Sequence, residues 1–155
     1  MSIAARDDRG AEDWPGPELT SRLGYLLKHA QLRLSELTGA ALAPLGVTGR
    51  ELAVLLVLAG HDQASQQQAA RRLGVDRTTM VALIDGLEHK GLVTRRPHGD
   101  DRRRNVVELT AAGRATLKRA TLANDNAERR FLEPLTRSGA EQLKSALLAL
   151  IQAGP

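Results

Sequence analysis

The sequence concentrates arginine side chains in one short stretch, where they could neutralise the phosphate groups of a nucleic acid. Five of the ten residues from 95 to 104 are arginine and two are aspartate. The guanidinium group is always charged, and its planar fork of donors matches phosphate oxygens. Arginine is also favoured in a narrow minor groove, where the negative potential is enhanced. We therefore predict DNA contacts from Arg95, Arg96, Arg102, Arg103 and Arg104.

Small polar side chains stand before this stretch, at the beginnings of two predicted helices. Threonine offers a methyl group and a hydroxyl to base edges in the major groove, and arginine suits guanine or phosphate. At the start of the preceding helix, free backbone amides and polar side chains could hold a phosphate. The predicted DNA contacts here are Arg77, Thr78 and Thr79 in one helix and Ser65, Gln66 and Gln67 in the helix before it.

These candidates lie on a pair of short helices followed by a hairpin. Ser65 with Gln68 has the spacing of a capping box, and Gly74 ends that helix after about two turns. Asp76 can cap the next helix, which Gly91 can close. The segments LVTRR and VVELT are rich in β-branched residues and flank PHGDDRRRN, whose residues favour a turn. This order is typical of a winged helix-turn-helix, whose second helix enters the major groove of DNA.

Longer helices are predicted before this unit. From Leu19 to Ala41 the apolar residues recur at gaps of four and three, which is the stripe of an amphipathic helix. Pro44 and Gly46 end it. Thr48 with Glu51 can cap a second helix, whose segment ELAVLLVLA is apolar nearly all round and is therefore expected to be buried.

Two further helices are predicted after the hairpin. A long one follows Thr110 and is marked by apolar residues from Leu117 to Leu135. Ser138 with Glu141 can cap the last one. The apolar stripes of the outer helices are too extensive for one small lobe to cover, so we expect them to meet a second chain.

The predicted fold is mainly α with a small β-hairpin wing, an α+β winged helix-turn-helix with N- and C-terminal dimerisation helices. A chain of 155 residues is long enough for one domain with a core. We expect a flexible arm at 1–17, in which Trp14 is the only side chain that could anchor the arm, and a single domain at 18–155. Within that domain we expect a DNA-binding lobe at 45–110 and dimerisation helices at 18–44 and 111–153.

Composition excludes several classes of function. The absence of cysteine rules out disulfides, thiol redox switches and thiolate zinc sites. One Trp, one Tyr and one Phe leave little for stacking on single strands. His61, His89 and His98 lack metal-ligand spacing, and no catalytic signature is present, so we expect no metal, no cofactor and no enzyme activity. No apolar run approaches the roughly 20 residues that span a bilayer and no signal peptide is evident, so the expected location is the cytoplasm.

Two adjoining segments carry a resemblance to a known family. They are VDRTTMVALIDGLEHKGLVTR at 75–95 and RRPHGDDRRRNVVELTAAG at 95–113. They are similar to the multiple antibiotic resistance regulator (MarR) family, whose signature is an Asp-Arg-Arg wing followed by a Leu-Thr strand end, and the resemblance extends over residues 19–153. Asp101 and Arg103 match its Asp-x-Arg motif, which implies that Asp101 braces the wing and that Arg103 reaches DNA. The resemblance also implies a triangular homodimer in which the first helix and the last two pack against their counterparts.

One departure from the family affects the reading of bases. Many members have Arg or Lys on the exposed middle of the recognition helix, where this sequence has Val81, Ala82 and Gly86. Base reading is therefore expected to rest on residues 77–79. The thiol-switched branch of the family is excluded because there is no cysteine. Trp14 faintly resembles the arm of the urate-responsive branch, but the recognition helix has no arginine beyond its first residue, so that branch's ligand residues are not carried over.

A candidate ligand site lies on the first long helix. Tyr25, His29 and Arg33 are spaced by four residues and so share one face. The resemblance implies that effectors bind between this helix and the DNA-binding lobe. The favoured ligand is a small aromatic acid, whose carboxylate would pair with Arg33 or protonated His29. The alternative is a solvated flank at the dimer interface.

These features favour a sequence-specific, double-stranded DNA-binding transcriptional regulator, a repressor that a small aromatic or phenolic acid releases from DNA. Its partners would be a pseudo-palindromic operator, a second copy of the chain and the effector. The alternative is a winged-helix module for protein assembly, which would lack salt-dependent affinity for duplex DNA. Catalysis would require a convergent polar site, which the sequence does not reveal.

Overall fold

The structure is a computed structural model that describes residues 15–61 and 65–154. These residues form seven α-helices and one β-hairpin, joined by turns and loops. Residues 1–14, including Trp14, lie outside the described residues. The predicted arm extends one residue too far, because Pro17 begins the first helix. A short 3₁₀ turn at Ala43–Leu45 follows the second helix. In chain order the elements are α1 (Pro17–Thr20), α2 (Leu23–Leu42), α3 (Gly49–Ala59), α4 (Gln66–Leu73), α5 (Arg77–His89), β1 (Val93–Pro97), β2 (Asn105–Leu109), α6 (Ala111–Leu132) and α7 (Arg137–Gln152).

Local caps set the helix boundaries in the central lobe, residues 45–110. Thr48 Oγ1 accepts a hydrogen bond from the Glu51 amide at 3.2 Å, and Glu51 Oε2 accepts one from the Thr48 amide at 2.8 Å. Ser65 and Gln68 form the same reciprocal pair at the start of α4. After α4, Gly74 takes a φ of +62°, which favours glycine and allows the tight turn into α5. These predicted caps are confirmed.

The first amphipathic helix differs from the prediction, because it is interrupted after α1. Arg22 is extended, with φ −96° and ψ 122°, and α2 begins at the residue after it. The Ser21 hydroxyl donates to the Glu18 carbonyl at 3.4 Å. Such a side-chain bond to a nearby carbonyl offers the backbone an alternative to continuing the helix.

The C-terminal boundaries also differ from the prediction. α6 ends before Pro134, which cannot donate a helical hydrogen bond, so Leu135 lies in the turn that follows. The predicted cap of α7 by Ser138 and Glu141 is wrong. Thr136 is the cap, because its Oγ1 accepts an amide hydrogen bond from the first turn of α7 at 3.1 Å.

The core of the central lobe lies between α3, α4, α5 and the hairpin. One face of α5, formed by Met80, Ile84 and Leu87, points into this core, and each of the three residues is at most 1% exposed. α3 is buried along most of its length, as predicted, although Leu56 remains 48% exposed. The largest fully buried side chains of this lobe are Val54, Leu55, Met80, Ile84, Leu87, Val93 and Val107.

The hairpin is joined to the helices along its length. Its strands pair antiparallel, from Val93 opposite Leu109 to Pro97 opposite Asn105. A further bridge pairs Val106, close to the tip end of the strands, with the residue that precedes α4. The hairpin is therefore attached to the helix-turn-helix next to the wing tip.

The outer helices leave apolar surface uncovered. α2 packs against α6, yet Leu23, Leu26 and Leu32 of α2 are 47–63% exposed. α7 has no buried residue, and its Leu150 and Ile151 are 63% and 78% exposed. Within the described residues, no single helix is long and apolar enough to cross a bilayer, and α2 with α3 meets the length and composition criteria only as a pair bent by 73°.

Candidate nucleic-acid interface

The start of α5 presents two of its three predicted contact residues to solvent. Arg77 and Thr78 are exposed, whereas Thr79 is half-buried and faces the residue that caps the helix. Asp76 Oδ1 accepts from the Thr79 amide at 2.8 Å, and Asp76 Oδ2 accepts from the Thr79 hydroxyl at 2.6 Å. These two hydrogen bonds favour the ionised carboxylate and hold the pKa of Asp76 below its ordinary value of 3.8.

The hydroxyl of Thr79 therefore has a different partner from the one predicted. It donates its only proton to Asp76, and its orientation is fixed by the cap. A hydrogen bond from this hydroxyl to a base edge would require that contact to break. Of the two threonines, Thr78 is the one whose side chain remains open to a DNA groove.

A cleft of about 610 Å³ separates the helix-turn-helix from the wing. Three arginines stand around it, Arg71 from α4, Arg77 from α5 and Arg104 from the wing. Its apolar lining includes Val75 and Val81. Several predicted DNA contacts thus meet at one concave surface. The predicted contacts that line it are Ser65, Gln66, Gln67, Arg77 and Arg104.

Two polar lining residues were not predicted as contacts. Arg71 and Asn105 both border the cleft. Arg71 lies one helical turn after Gln67 and hence on the same face of α4, a spacing that could have indicated it. Asn105 begins β2, and its place beside α4 depends on how the hairpin docks, which no local pattern reveals.

Arg95, a predicted DNA contact, is engaged by side chains within the protein. Its guanidinium pairs with Asp85 and Glu88 of α5, and its side chain is only 21% exposed. Its backbone amide also donates to Glu88 Oε1 at 3.2 Å. With the Gln66 amide oriented so that Oε1 faces Arg95, that oxygen accepts from Nε at 2.8 Å. Arg95 therefore joins α4, α5 and β1.

The charge of Arg95 is balanced inside this cluster. Burial alone would lower its pKa, but the hydrogen bonds and negative charges of Asp85 and Glu88 outweigh burial and raise it. Because two carboxylates already neutralise the guanidinium, little of its charge is left for a phosphate. The geometry favours a positioning role for Arg95.

The wing tip is a tight turn that Asp101 organises. Asp101 Oδ1 accepts from the Arg103 amide at 3.0 Å, and the Asp101 carbonyl accepts from the Arg104 amide at 3.0 Å. Across the base of the tip, the His98 amide donates to the Arg104 carbonyl at 2.7 Å. The side chain and the backbone of Asp101 thus both shape the turn on which the exposed Arg102 and Arg103 are presented.

Arg96 lies on the outer face of β1. Its side chain is 68% exposed, and its Nε lies 3.5 Å from Oε2 of Glu108 on the opposite strand. Exposed pairs of this kind contribute little and exchange readily, so Arg96 remains available to an external anion.

The candidate ligand residues lie on an open face of α2. The rings of Tyr25 and His29 have centroids 4.1 Å apart and are tilted by 34°, so the predicted proximity of these two is realised. Tyr25 is half-buried, and His29 and Arg33 are exposed. Among residues 15–61 and 65–154, no group of three or more His, Asp or Glu side chains could hold a metal ion.

Comparison with known proteins gives consistent matches. Residues 45–104 match the sequence model of the MarR family. The chain is 34% identical over 125 residues to the HTH-type transcriptional repressor Rv2887 of Mycobacterium tuberculosis, covering 81% of this chain and 90% of that protein. It is 29% identical over 100 residues to the repressor NicR of Pseudomonas putida, covering 64% of this chain and 63% of that one.

Solved structures match over a larger share of the chain. The transcriptional repressor CouR bound to a 23-mer DNA duplex superposes with a TM-score of 0.85 at 37% identity, covering 90% of this chain and 99% of CouR. CouR bound to p-coumaroyl-CoA superposes with a TM-score of 0.81 at 35% identity and the same coverage. Rv2887 in complex with DNA gives 0.69 at 33% identity, covering 83% and 97%.

Proposed function

The chain belongs to the MarR family of transcriptional regulators, and from this we propose that it is a homodimeric repressor that binds a pseudo-palindromic operator in duplex DNA. Two copies would place their α5 helices in successive major grooves, about 34–36 Å apart. Occupancy of a promoter would block transcription, and the protein would act in the cytoplasm, where such promoters lie.

The observation that carries this proposal is the cleft between α4, α5 and the wing. Arg71, Arg77 and Arg104 bring three positive charges to one concave surface. Beside it stand exposed polar groups at the start of α5, while Arg102 and Arg103 extend from the wing tip. Three arginines beside the exposed start of a helix suit the phosphates of a DNA duplex better than they suit a neutral ligand.

The proposed contacts divide into two kinds. Positioning contacts to phosphate or the minor groove come from Gln67, Arg96 and the wing-tip arginines, since these side chains are exposed and carry charge or amide donors. Base contacts in the major groove come from Arg77 and Thr78. Ser65, Gln66, Thr79 and Arg95 serve the geometry of the surface, because their polar groups are engaged within the protein.

The test is binding to duplexes that the protein selects from a random pool and to scrambled duplexes, over about 50–200 mM salt. Arg103→Ala should weaken both kinds of duplex and lower the salt slope by about one phosphate unit for each copy of the chain. Thr78→Ala should weaken the selected duplex by about 1–3 kcal/mol for each half-site and leave the scrambled one nearly unchanged.

Arg137→Ala is the matched control, because it removes an arginine that is 94% exposed at the start of α7. It should change neither affinity nor slope. If Arg103→Ala also changes neither, the wing does not touch DNA, and a role in protein assembly becomes the better explanation.

We also propose that an aromatic acid or its thioester releases the protein from DNA. The support is the likeness to CouR, which was solved with p-coumaroyl-CoA, together with the Tyr25–His29 ring pair on α2. The ligand would bind more tightly to a form of the dimer in which the spacing of the two α5 helices does not match DNA. It would weaken DNA binding by the ratio of its affinities for this form and for the DNA-binding form.

Thermal-shift measurements with p-coumarate and p-coumaroyl-CoA test this second part. His29→Ala should reduce the shift, because it removes one ring of the pair. Gln31→Ala, an exposed change on a different face of α2, should leave the shift intact. An undiminished shift in His29→Ala would remove the α2 face from consideration.

A further inference from the structure

The outer face of α5 carries methyl groups where a base-reading helix commonly carries hydrogen-bonding side chains. Thr78, Val81, Ala82 and Asp85 are spaced by three and four residues and therefore share one face of the helix. Thr78 and Ala82 are exposed, and Val81 is half-exposed at the edge of the cleft. The opposite face of α5 is buried in the core.

Polar groups that could read bases from this face are few. The Thr79 hydroxyl is bound to Asp76. Oδ1 of Asp85 is paired with Arg95, so this carboxylate is oriented toward the wing and part of its charge is neutralised. In the second turn of α5, the surface that faces outward therefore consists of the side chains of Val81 and Ala82.

We propose that this face, Thr78, Val81 and Ala82, selects thymine by contact with its C5-methyl group in the major groove. The inference rests on the proposed function. Among the four bases, thymine alone presents a methyl group at the major-groove edge, and apolar side chains and the threonine methyl are its complement. Burying two methyl surfaces together removes apolar area from water, and no hydrogen bond is needed.

The shape and charge of the neighbouring cleft favour a DNA strand as the occupant. Its lining includes three arginines, which favour anionic groups, and apolar surface from Val75 and Val81. A duplex strand supplies both features at once, with phosphates along its edge and sugar and thymine methyl groups inside. The operator is accordingly expected to carry A·T pairs where Val81 and Ala82 meet the groove in each half-site.

The experiment replaces thymines of a selected duplex by uracil, one position at a time, and measures the dissociation constant. Uracil keeps the base pair and removes only the methyl group. At one or two positions in each half-site the affinity should fall about fourfold, the equivalent of one buried methyl-sized group. Elsewhere the substitution should have no effect.

Val81→Thr assigns the effect to α5, because threonine keeps the shape of valine and replaces one methyl by a hydroxyl. In this variant the loss on uracil substitution should shrink at the position that Val81 contacts. Arg103→Ala is the matched comparison, since it removes wing charge but leaves α5 intact. It should lower affinity for both duplexes and keep the thymine-to-uracil ratio unchanged.

The outcomes separate the two claims. Salt-dependent duplex binding with no uracil-sensitive position would overturn the thymine inference and leave the proposed function standing. A uracil effect of unchanged size in all three of Thr78→Ser, Val81→Thr and Ala82→Ser would mean that the methyl acts through DNA shape, and would also overturn it. Failure to bind any duplex would overturn the proposed function itself.

Discussion

Lys90 Nζ lies 2.8 Å from Oε1 and 2.9 Å from Oε2 of Glu51, which joins the C-terminal end of α5 to the first turn of α3. The same ammonium donates to the Gly46 carbonyl at 2.8 Å, where the chain leaves α2. Glu51 Oε2 also accepts from the Thr48 amide. The recognition helix is therefore held at the junction between the outer helix and the central lobe.

Lys90→Met should destabilise the protein by about 1–3 kcal/mol, because it leaves a buried carboxylate without its cation. The Glu51 side chain is only 9% exposed, whereas that of Lys90 is 38% exposed and partly screened. Urea unfolding at one fixed protein concentration is the measurement. Lys144→Met, which removes a lysine paired with Glu128 at the surface, should cost less than about 0.5 kcal/mol. Equal losses of unfolding free energy in the two variants would contradict the claim that the Lys90–Glu51 pair stabilises the fold more than a surface pair does.

Arg95→Ala should weaken DNA binding without changing its salt slope. The wing would lose its attachment to Asp85 and Glu88, so its tip would be held less firmly against the duplex. We expect about a tenfold loss of affinity, equivalent to one charge-assisted hydrogen bond. Arg103→Ala should lower the slope by about one unit for each copy of the chain. If Arg95→Ala lowers the slope in the same way, the guanidinium contacts phosphate after all.

Gly113→Ala should destabilise the protein by about 3 kcal/mol, within the range for overpacking. A Cβ at Gly113 would lie 1.9 Å from the Leu92 carbonyl oxygen, so α6 could not approach the hairpin as it does. Gly49→Ala is the control in thermal unfolding, because a Cβ there meets nothing within 4 Å. That variant should be neutral or slightly more stable. Similar melting temperatures for both would show that α6 can shift freely.

The cap of α5 should make stability depend on pH at the acid end. Hydrogen bonds from the Thr79 side chain and amide lower the folded pKa of Asp76, so its contribution is present above the unfolded pKa near 4 and is lost as pH falls through the folded value. NMR titration of the Asp76 carboxyl should give a midpoint below 3.8. Thr79→Val should raise that midpoint; an unchanged midpoint would mean that the hydroxyl does not stabilise the carboxylate.

Leu148→Glu should weaken the dimer, because α7 is uncovered in the single chain and Leu148 is 53% exposed. A charge placed in an apolar interface costs several kcal/mol unless it is paired. Sedimentation equilibrium should show more monomer, with a matching loss of affinity for a two-site operator. Leu56→Glu, at a leucine of the central lobe that is 48% exposed, should sediment as the wild type does.

The sequence by itself determined the helices, the strands and most of the residues at which they begin and end. The caps at Thr48, Ser65 and Asp76 were predictable because each closes a hydrogen bond to a residue three positions later. The turn at Gly74 was equally predictable, since a positive φ favours glycine regardless of what surrounds it. The winged helix-turn-helix and its basic tip followed from these local signals.

Only the tertiary structure decided which polar groups remain free to act. Arg95 resembles its neighbours in sequence, yet docking of the hairpin brings it to Asp85 and Glu88, while Arg103 stays in solvent. The pair of Lys90 with Glu51 spans 39 positions in the chain and has no local signature. A hydrogen bond depends on distances and angles in space, so residues far apart in sequence compete for the same donor or acceptor only after the elements have packed.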